Sequence, residues 1–252
     1  MGSRLPCTEQ LRVRLSYSPP FKDIMVTQNI NGWTLLENEG DEPMIRHATQ
    51  YNLQSDFSAW HVDWWHELEQ DYSFNRRVCL DIGASYGWMS IPFSQNFDSV
   101  HCFEPFNPVY QCLKTNISNI NVNNITTHNV ALGHENITTN LTNKPNTGGN
   151  ALILQLSDAD TDVVEIQMKT LDSFNFTDVD FIKIDTEGSE HFVIRGAVDT
   201  IDRCKPQIII VEIHSHRTDR SKQSRQEVIG TLRHLGYELL DVRKSDFIFK
   251  LK

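Results

Sequence analysis

The sequence predicts an α/β chain built on a doubly wound, mostly parallel sheet that ends in an antiparallel strand, preceded by an N-terminal extension. Three observations carry this. From Arg77 onward, short apolar runs alternate with helix-length segments, the order of parallel strands joined by helical crossovers. A glycine turn, Asp81-Ile82-Gly83-Ala84-Ser85-Tyr86-Gly87, closes the first of those runs. The last two runs are joined by only a few residues, which makes them antiparallel neighbours, because a parallel pair needs a long crossover.

Residues 1–75 form the extension. Asn31-Gly32 before Trp33-Thr34-Leu35-Leu36 predicts a turn entering a strand. Phe57, Trp60, Trp64, Trp65 and Leu68 recur at helical spacing between Ser55 and Tyr72. That helix is expected to pack on the main domain, with a substrate-stacking surface as the second reading. Residues 76–252 form the main domain. Strands are expected at Val78–Ile82, Val100–Phe103 and Ile125–Leu132, with helices beginning at Trp88 and Pro108. The polar stretch Gly133–Asn150 reads as a loop or short hairpin, and Val163–Met168 as a strand on a partly exposed edge. Then come strand Val179–Ile184, helix Ser189–Ile201, strand Gln207–Glu212, helix Arg220–Leu235 and the pair Tyr237–Val242 and Asp246–Leu251.

Composition narrows the function. A formal net charge of −10 argues against general affinity for nucleic acid, which needs basic surface. No apolar run approaches a membrane span, and no signal peptide is visible. The five cysteines are odd in number and include no CxxC pair, so free thiols in a reducing, cytoplasmic setting are expected. Asn-x-Ser/Thr triplets begin at Asn116, Asn124, Asn136, Asn140 and Asn175; they matter only in a secreted protein, and chance in an Asn-rich chain accounts for them.

The glycine turn has the spacing D-x-G-x-x-x-G and lacks the G-x-G-x-x-G of a dinucleotide site. A ligand with an adenosine and a charged amino-acid tail suits it better than a pyrophosphate. Asp81 is placed for the tail's ammonium, directly or through water, and Gly83, Ala84, Ser85 and Gly87 for close backbone approach. Glu104 ends the next strand, 23 positions after Asp81, where doubly wound nucleotide sites put the acid that accepts ribose hydroxyls. The bland reading of Glu104 is a surface acid at a turn. Asn129 and Val130 end the third strand and are placed to border an adenine.

The segments LDIGASYGWMSIPFS, VHCFEP, VALG, GGNALI, KTLDSF, VDFIKIDTEGSEHFVIRGA and PQIIIVE, in this order and spacing, resemble the FkbM-type family of S-adenosylmethionine-dependent methyltransferases. The resemblance spans residues 77–215, and FIKID-x-EG-x-E is its most specific part. It implies a class I methyltransferase (Rossmann-like) sheet, S-adenosylmethionine as cofactor, and O-methylation of a hydroxyl on a sugar, glycan or related small molecule. The family typically shows DIGAN where this chain has Ser85, and KIDVEG where it has Thr186. The first 75 residues lie outside the resemblance.

In doubly wound sheets ligands bind at the carboxyl ends of the strands. Asp185 and Glu187 stand at that end of the fourth strand, and Glu212, His214 and His216 at that end of the fifth. Asp185 or Glu187 is the candidate general base, with His214 as the competitor. Glu190 is expected to cap the next helix. Lys183 is expected to pair with a carboxylate, or else to orient the substrate. Asp185, Glu187, Glu212 and His214 also supply the ligand types of Mg2+ or Mn2+, although no tight motif demands a metal. Asn107-Pro108-Val109-Tyr110 resembles the N-P-P-Y of amino-methylating nucleic-acid enzymes but follows the second strand, not the fourth. The rival readings are an NAD-dependent oxidoreductase and a non-catalytic cofactor-binding module. The loop Asn143–Asn150, with Gly148-Gly149 as a possible lid hinge, and the aromatic helix are the parts expected to shape the acceptor pocket.

Overall fold

The computed structural model describes residues 27–36, 48, 49, 53, 74–142, 152, 153, 163–213 and 219–252. The helix expected at Ser55–Tyr72, the loop Asn143–Asn150, and His214 and His216 lie outside them.

The main sheet has seven strands: β3 (Val78–Ile82), β4 (Ser99–Phe103), β5 (Ile125–His128), β10 (Val179–Ile184), β11 (Ile208–Glu212), β12 (Tyr237–Arg243) and β13 (Asp246–Leu251). Their order is β12-β13-β11-β10-β3-β4-β5. β5, β4, β3, β10 and β11 run parallel, and β13 enters antiparallel between β11 and β12. The crossovers carry helices α1 (Ser90–Phe93), α2 (Asn107–Ile120), α3 (Glu190–Arg195), α4 (Val198–Cys204) and α5 (Asp219–His234). A central parallel strand is covered on both faces and therefore reads as a continuous apolar run. β10 shows this directly: all six of its residues are buried, Asp180 and Lys183 included. On one face Leu80, Ile82, Ile182, Ile184, Ile209 and Val211 pack with residues of α3, α4 and α5. On the other, Cys79, Phe181, Ile208 and Ile210 pack with Phe93, Phe97 and Ile248.

Several elements depart from the sequence expectations. Ile125–Leu132 is not one strand. Asn129 donates from Nδ2 to the carbonyls of Glu104 (2.9 Å) and Pro105 (3.1 Å), and the chain leaves the main sheet there. It resumes as β6 (Ala131–Leu132) in a second sheet of order β6-β9-β7-β8. β7 (Ile137–Thr142) lies inside the stretch read as loop or hairpin; it pairs antiparallel with β9 (Val163–Lys169) and with β8 (Leu152–Ile153). β9 is not an edge strand: it is held between β6 and β7, and its alternating exposure comes from one open face. The helix expected over Ser189–Ile201 is broken at Gly196, where a Cβ would stand 1.8 Å from the Gly133 carbonyl oxygen. The helix expected from Trp88 is the single turn α1.

The extension contributes a hairpin, β1 (Thr27–Ile30) and β2 (Trp33–Leu36), turning through Asn31 and Gly32 at φ +50° and +90°. Positive φ at both central residues is the Asn-Gly hairpin turn. Trp33 packs against Trp88 with ring centroids 4.0 Å apart and planes tilted by 36°. Asn116, fully buried in α2, accepts from the Thr34 N–H (2.7 Å) and donates to the carbonyls of Thr34 (3.2 Å) and Tyr86 (3.0 Å). The hairpin is thereby fastened to the helix and to the glycine turn. That commitment also closes the Asn116 triplet to modification.

Candidate functional site

The main sheet reverses its winding between β3 and β10. The chain steps from β3 outward to β4 and β5, then returns to lay β10 and β11 on the other side. Such a switch point opens a crevice at the carboxyl ends of the strands. Five acids and one lysine of the sequence reading stand around it: Asp81 ending β3, Glu104 after β4, Lys183, Asp185 and Glu187 on and after β10, and Glu212 ending β11.

The glycine turn is built against both neighbours. The N–H groups of Gly83 and Ala84 both donate to the Phe103 carbonyl at 3.0 Å. The Asp185 N–H donates to the Ile82 carbonyl at 2.9 Å. Gly83 sits at φ +87°, and a Cβ there would stand 1.7 Å from the Asp185 carbonyl oxygen. At Gly83 the absence of a side chain lets two strand ends approach closely. Ser85 holds φ +50°, a left-handed conformation that Asn tolerates better than Ser.

Glu104 is 8% exposed and ties this turn to the next one. Its Oε2 accepts the Ser85 N–H (3.0 Å) and its Oε1 the Phe106 N–H (2.8 Å). Burial pushes its carboxyl up to about 7 against those two bonds. It is not a free surface acid. Asn129 spends its amide donors on the Glu104 turn, and Val130 packs against the main core, so both support the crevice wall.

Asp81 is 0% exposed. Its Oδ2 accepts the Ser90 hydroxyl at 2.5 Å, while its Oδ1 is buried without a hydrogen bond. Lys183 pairs with Asp81 in strand register and holds its Nζ 3.9 Å from Asp81 Oδ1 and 3.0 Å from Asp185 Oδ2. Burial acts to lower the lysine pKa, but Asp185 and Asp81 outweigh it and keep the ammonium charged. At Asp81 burial wins and raises the carboxyl, since its one cation stands at 3.9 Å. Glu212 accepts the Ser245 hydroxyl at 2.7 Å; burial, then a hydrogen bond and charge repulsion from Asp185, push it up to about 8. A hydrogen bond between Asp185 and Glu212 thus joins the ends of β10 and β11.

Glu187 is exposed and holds a left-handed backbone, φ +53°. Glu190 does more than cap a helix. It is 3% exposed, and its Oε1 accepts the Thr186 N–H (3.2 Å), the Thr186 hydroxyl (3.2 Å) and the Gly188 N–H (2.8 Å). Three donors on one oxygen shape the turn that carries Glu187. Among the described residues, no group of three or more His, Cys, Asp and Glu is arranged to hold a metal ion. The cation beside Asp81 and Asp185 is the Lys183 ammonium. The bracing roles of Ser90, Asn116 and Ser245 are not marked by any motif, because their partners lie on other elements.

The profile of the methyltransferase FkbM domain matches residues 81–239. The chain belongs to the FkbM methyltransferase family. An FkbM methyltransferase from Methylobacillus flagellatus KT has a similar solved structure, with 19% identity and a TM-score of 0.53. The match covers 83% of this chain and 50% of that one, so this chain spans half the length of that relative. A precorrin-6y C5,15-methyltransferase from Geobacter metallireducens GS-15 shows 14% identity and a TM-score of 0.43, covering 75% of this chain and 87% of that one. M. jannaschii TYW2 in complex with AdoMet shows 15% identity and a TM-score of 0.40, covering 75% and 76%. No curated protein matches the chain by sequence. The seven-stranded order with one antiparallel strand is the class I, Rossmann-like sheet expected of this FkbM-family chain. Among the described residues no helix is long and apolar enough to cross a membrane.

Proposed function

We propose that this FkbM-family chain is an S-adenosylmethionine-dependent O-methyltransferase acting on a hydroxyl of a sugar, glycan or related small molecule. The observation that carries the reading is the Asp185–Glu212 carboxylate pair on the crevice edge, one strand away from the glycine turn.

The crevice fits the cofactor by the chemistry of its groups. Glu104 keeps a second lone pair on each oxygen for ribose hydroxyls, and the 83–87 turn supplies a close-approach backbone. Asp81, fully buried, reaches an amino-acid tail through water rather than directly. Asn129 and Val130 back the adenine side. The bound cofactor supplies an electrophilic methyl group on a sulfonium.

The chain's own residues do the rest. The carboxylate of Asp185 accepts the acceptor's hydroxyl proton as the new oxygen–carbon bond forms and the carbon–sulfur bond breaks. Glu212, whose raised pKa keeps its own proton in place, hydrogen-bonds the Asp185 carboxylate and holds it ready to accept. Lys183 holds Asp185 in place. Glu187, exposed on the turn shaped by Glu190, is the residue we assign to orienting the acceptor's hydroxyls.

Transfer of labelled methyl to a panel of free sugars, glycans and lipid-linked sugars tests the reading, with thermal stabilisation by S-adenosylhomocysteine against NAD as its first stage. Stabilisation by S-adenosylhomocysteine and a labelled O-methyl product are expected. Stabilisation by NAD alone, or a methylated nitrogen as the sole product, would overturn it.

A further inference from the structure

We propose that Lys183 and Asp185 set how strongly the crevice prefers a cationic methyl donor over its neutral product, so that they determine specificity for the charge of the cofactor. The inference rests on the S-adenosylmethionine reading above.

Lys183 is the one basic side chain among the buried polar residues described. It stands among three acids, Asp81, Asp185 and Glu212, on the ends of three adjacent strands. One ammonium stands against three carboxyl groups and closes to hydrogen-bonding distance with only one of the two it pairs with, Asp185 at 3.0 Å against Asp81 at 3.9 Å. The imbalance has a visible mark: Asp81 Oδ1 is buried, lacks a hydrogen bond, and has its cation at 3.9 Å. A buried carboxylate oxygen held only by an ammonium at 3.9 Å is costly, and a cationic ligand in the crevice would reduce that cost.

A sulfonium carries a full positive charge before methyl transfer and none after it. An acidic crevice therefore holds the donor more tightly than the product, which favours exchange of product for fresh donor. Unchecked, the same acidity would stabilise the bound donor more than the transition state, in which that charge is already dispersing, and would slow transfer. Lys183, fixed 3.0 Å from Asp185, moderates the field at the acid nearest the acceptor. Asp185 supplies the preference, and Lys183 limits it.

The test is the ratio of affinities for S-adenosylmethionine and S-adenosylhomocysteine, by calorimetry at one pH and ionic strength, with sinefungin as a stable cationic donor analogue. General damage to the crevice weakens all three ligands and leaves the ratio alone. Lys183→Met is expected to raise the donor-to-product ratio, and Asp185→Asn to lower it, each by roughly tenfold, the size of one charge acting across a partly screened site. Lys183→Arg keeps the charge and is expected to keep the ratio. Should Lys183→Met fail to fold, the double variant Asp81→Asn/Lys183→Met removes the stranded acid with its cation, and Asp185→Asn tests the other arm. A ratio unchanged within about twofold in the lysine and aspartate variants, with all ligands still bound, overturns the inference alone. Wild-type protein that binds none of the three ligands overturns the cofactor reading, and this inference with it.

Discussion

The two ends of one strand pair, β3 and β10, both carry ion pairs, and they are built in opposite ways. At the amino end, Arg77 grips Asp180 through its backbone N–H (2.8 Å), Nε (3.0 Å) and Nη2 (2.7 Å), and pairs with Asp178 as well. Both carboxylate oxygens of Asp180 are used, in the planar fork geometry that arginine favours. At the carboxyl end, Lys183 is a point charge among more acids than it can satisfy, and one oxygen of Asp81 is left over. The same strands, five and six residues long, thus hold a saturated clip at one end and an unsaturated cluster at the other. A saturated pair holds structure together. Unused acceptor capacity, kept buried at a switch point, is what a ligand can complete.

The largest effect should come from Gly83→Ala. A methyl group 1.7 Å from the Asp185 carbonyl oxygen, on a residue at φ +87°, pushes apart the strand ends that form the crevice. A loss on the order of 4 kcal/mol in urea unfolding is expected, with loss of S-adenosylhomocysteine binding. Preserved binding would mean that the carboxyl-end geometry is not what the ligand needs.

Next come the matched variants Lys183→Met and Arg77→Met. Removing the buried lysine strands two acids and should cost about 3 kcal/mol. It should also change the relative affinities of donor and product. Arg77→Met should lower Tm yet leave both affinities as they are. A change in the donor-to-product ratio by Arg77→Met equal to that of Lys183→Met would erase the contrast between the two ends.

Glu104 gives the contrast a pH dependence. Its folded carboxyl is raised to about 7 from an ordinary 4.5, so the folded state holds a proton that the unfolded chain has released between those values. Stability is then highest below pH 4.5 and falls as pH rises through 7, by about 3 kcal/mol for this one group. Asp81, Glu190 and Glu212 shift in the same direction, so the informative quantity is the difference between wild type and Glu104→Gln across pH 4.5 to 7. The variant should flatten part of the slope. Ribose hydroxyls donate to the ionised form, so wild-type affinity for S-adenosylhomocysteine should rise through pH 7 and that of Glu104→Gln should not. A flat wild-type profile would remove Glu104 from the ribose role.

The smallest effect expected is a gain. Ser85→Asn places a residue suited to left-handed backbone at φ +50° and should add up to about 1 kcal/mol, read as a higher Tm.

Much of the main sheet is legible in the sequence. The parallel strands around the switch point announce themselves as apolar runs, because a strand covered on both faces has no polar side to show. The second sheet was harder. β7 is written in Ile, Thr, Asn and Leu, with one face open to solvent, and its partner strand β9 begins at Val163 beyond a long intervening stretch. The division of Ile125–Leu132 depended on Asn129 finding the Glu104 and Pro105 carbonyls, a contact that no local pattern encodes.

What the sequence determined by itself was the fold class, the family and the set of acids at the carboxyl ends, since strand period, glycine spacing and motif order are properties of neighbours along the chain. What only the tertiary structure decided was how those acids divide. Glu104 and Glu190 became braces by accepting backbone donors, Asp81 became a buried anchor for Ser90 and Lys183, and Asp185 found Glu212 on the adjoining strand. A carboxylate's role is set by which donors, charges and water reach it, and those arrive from strands and turns that folding alone brings together.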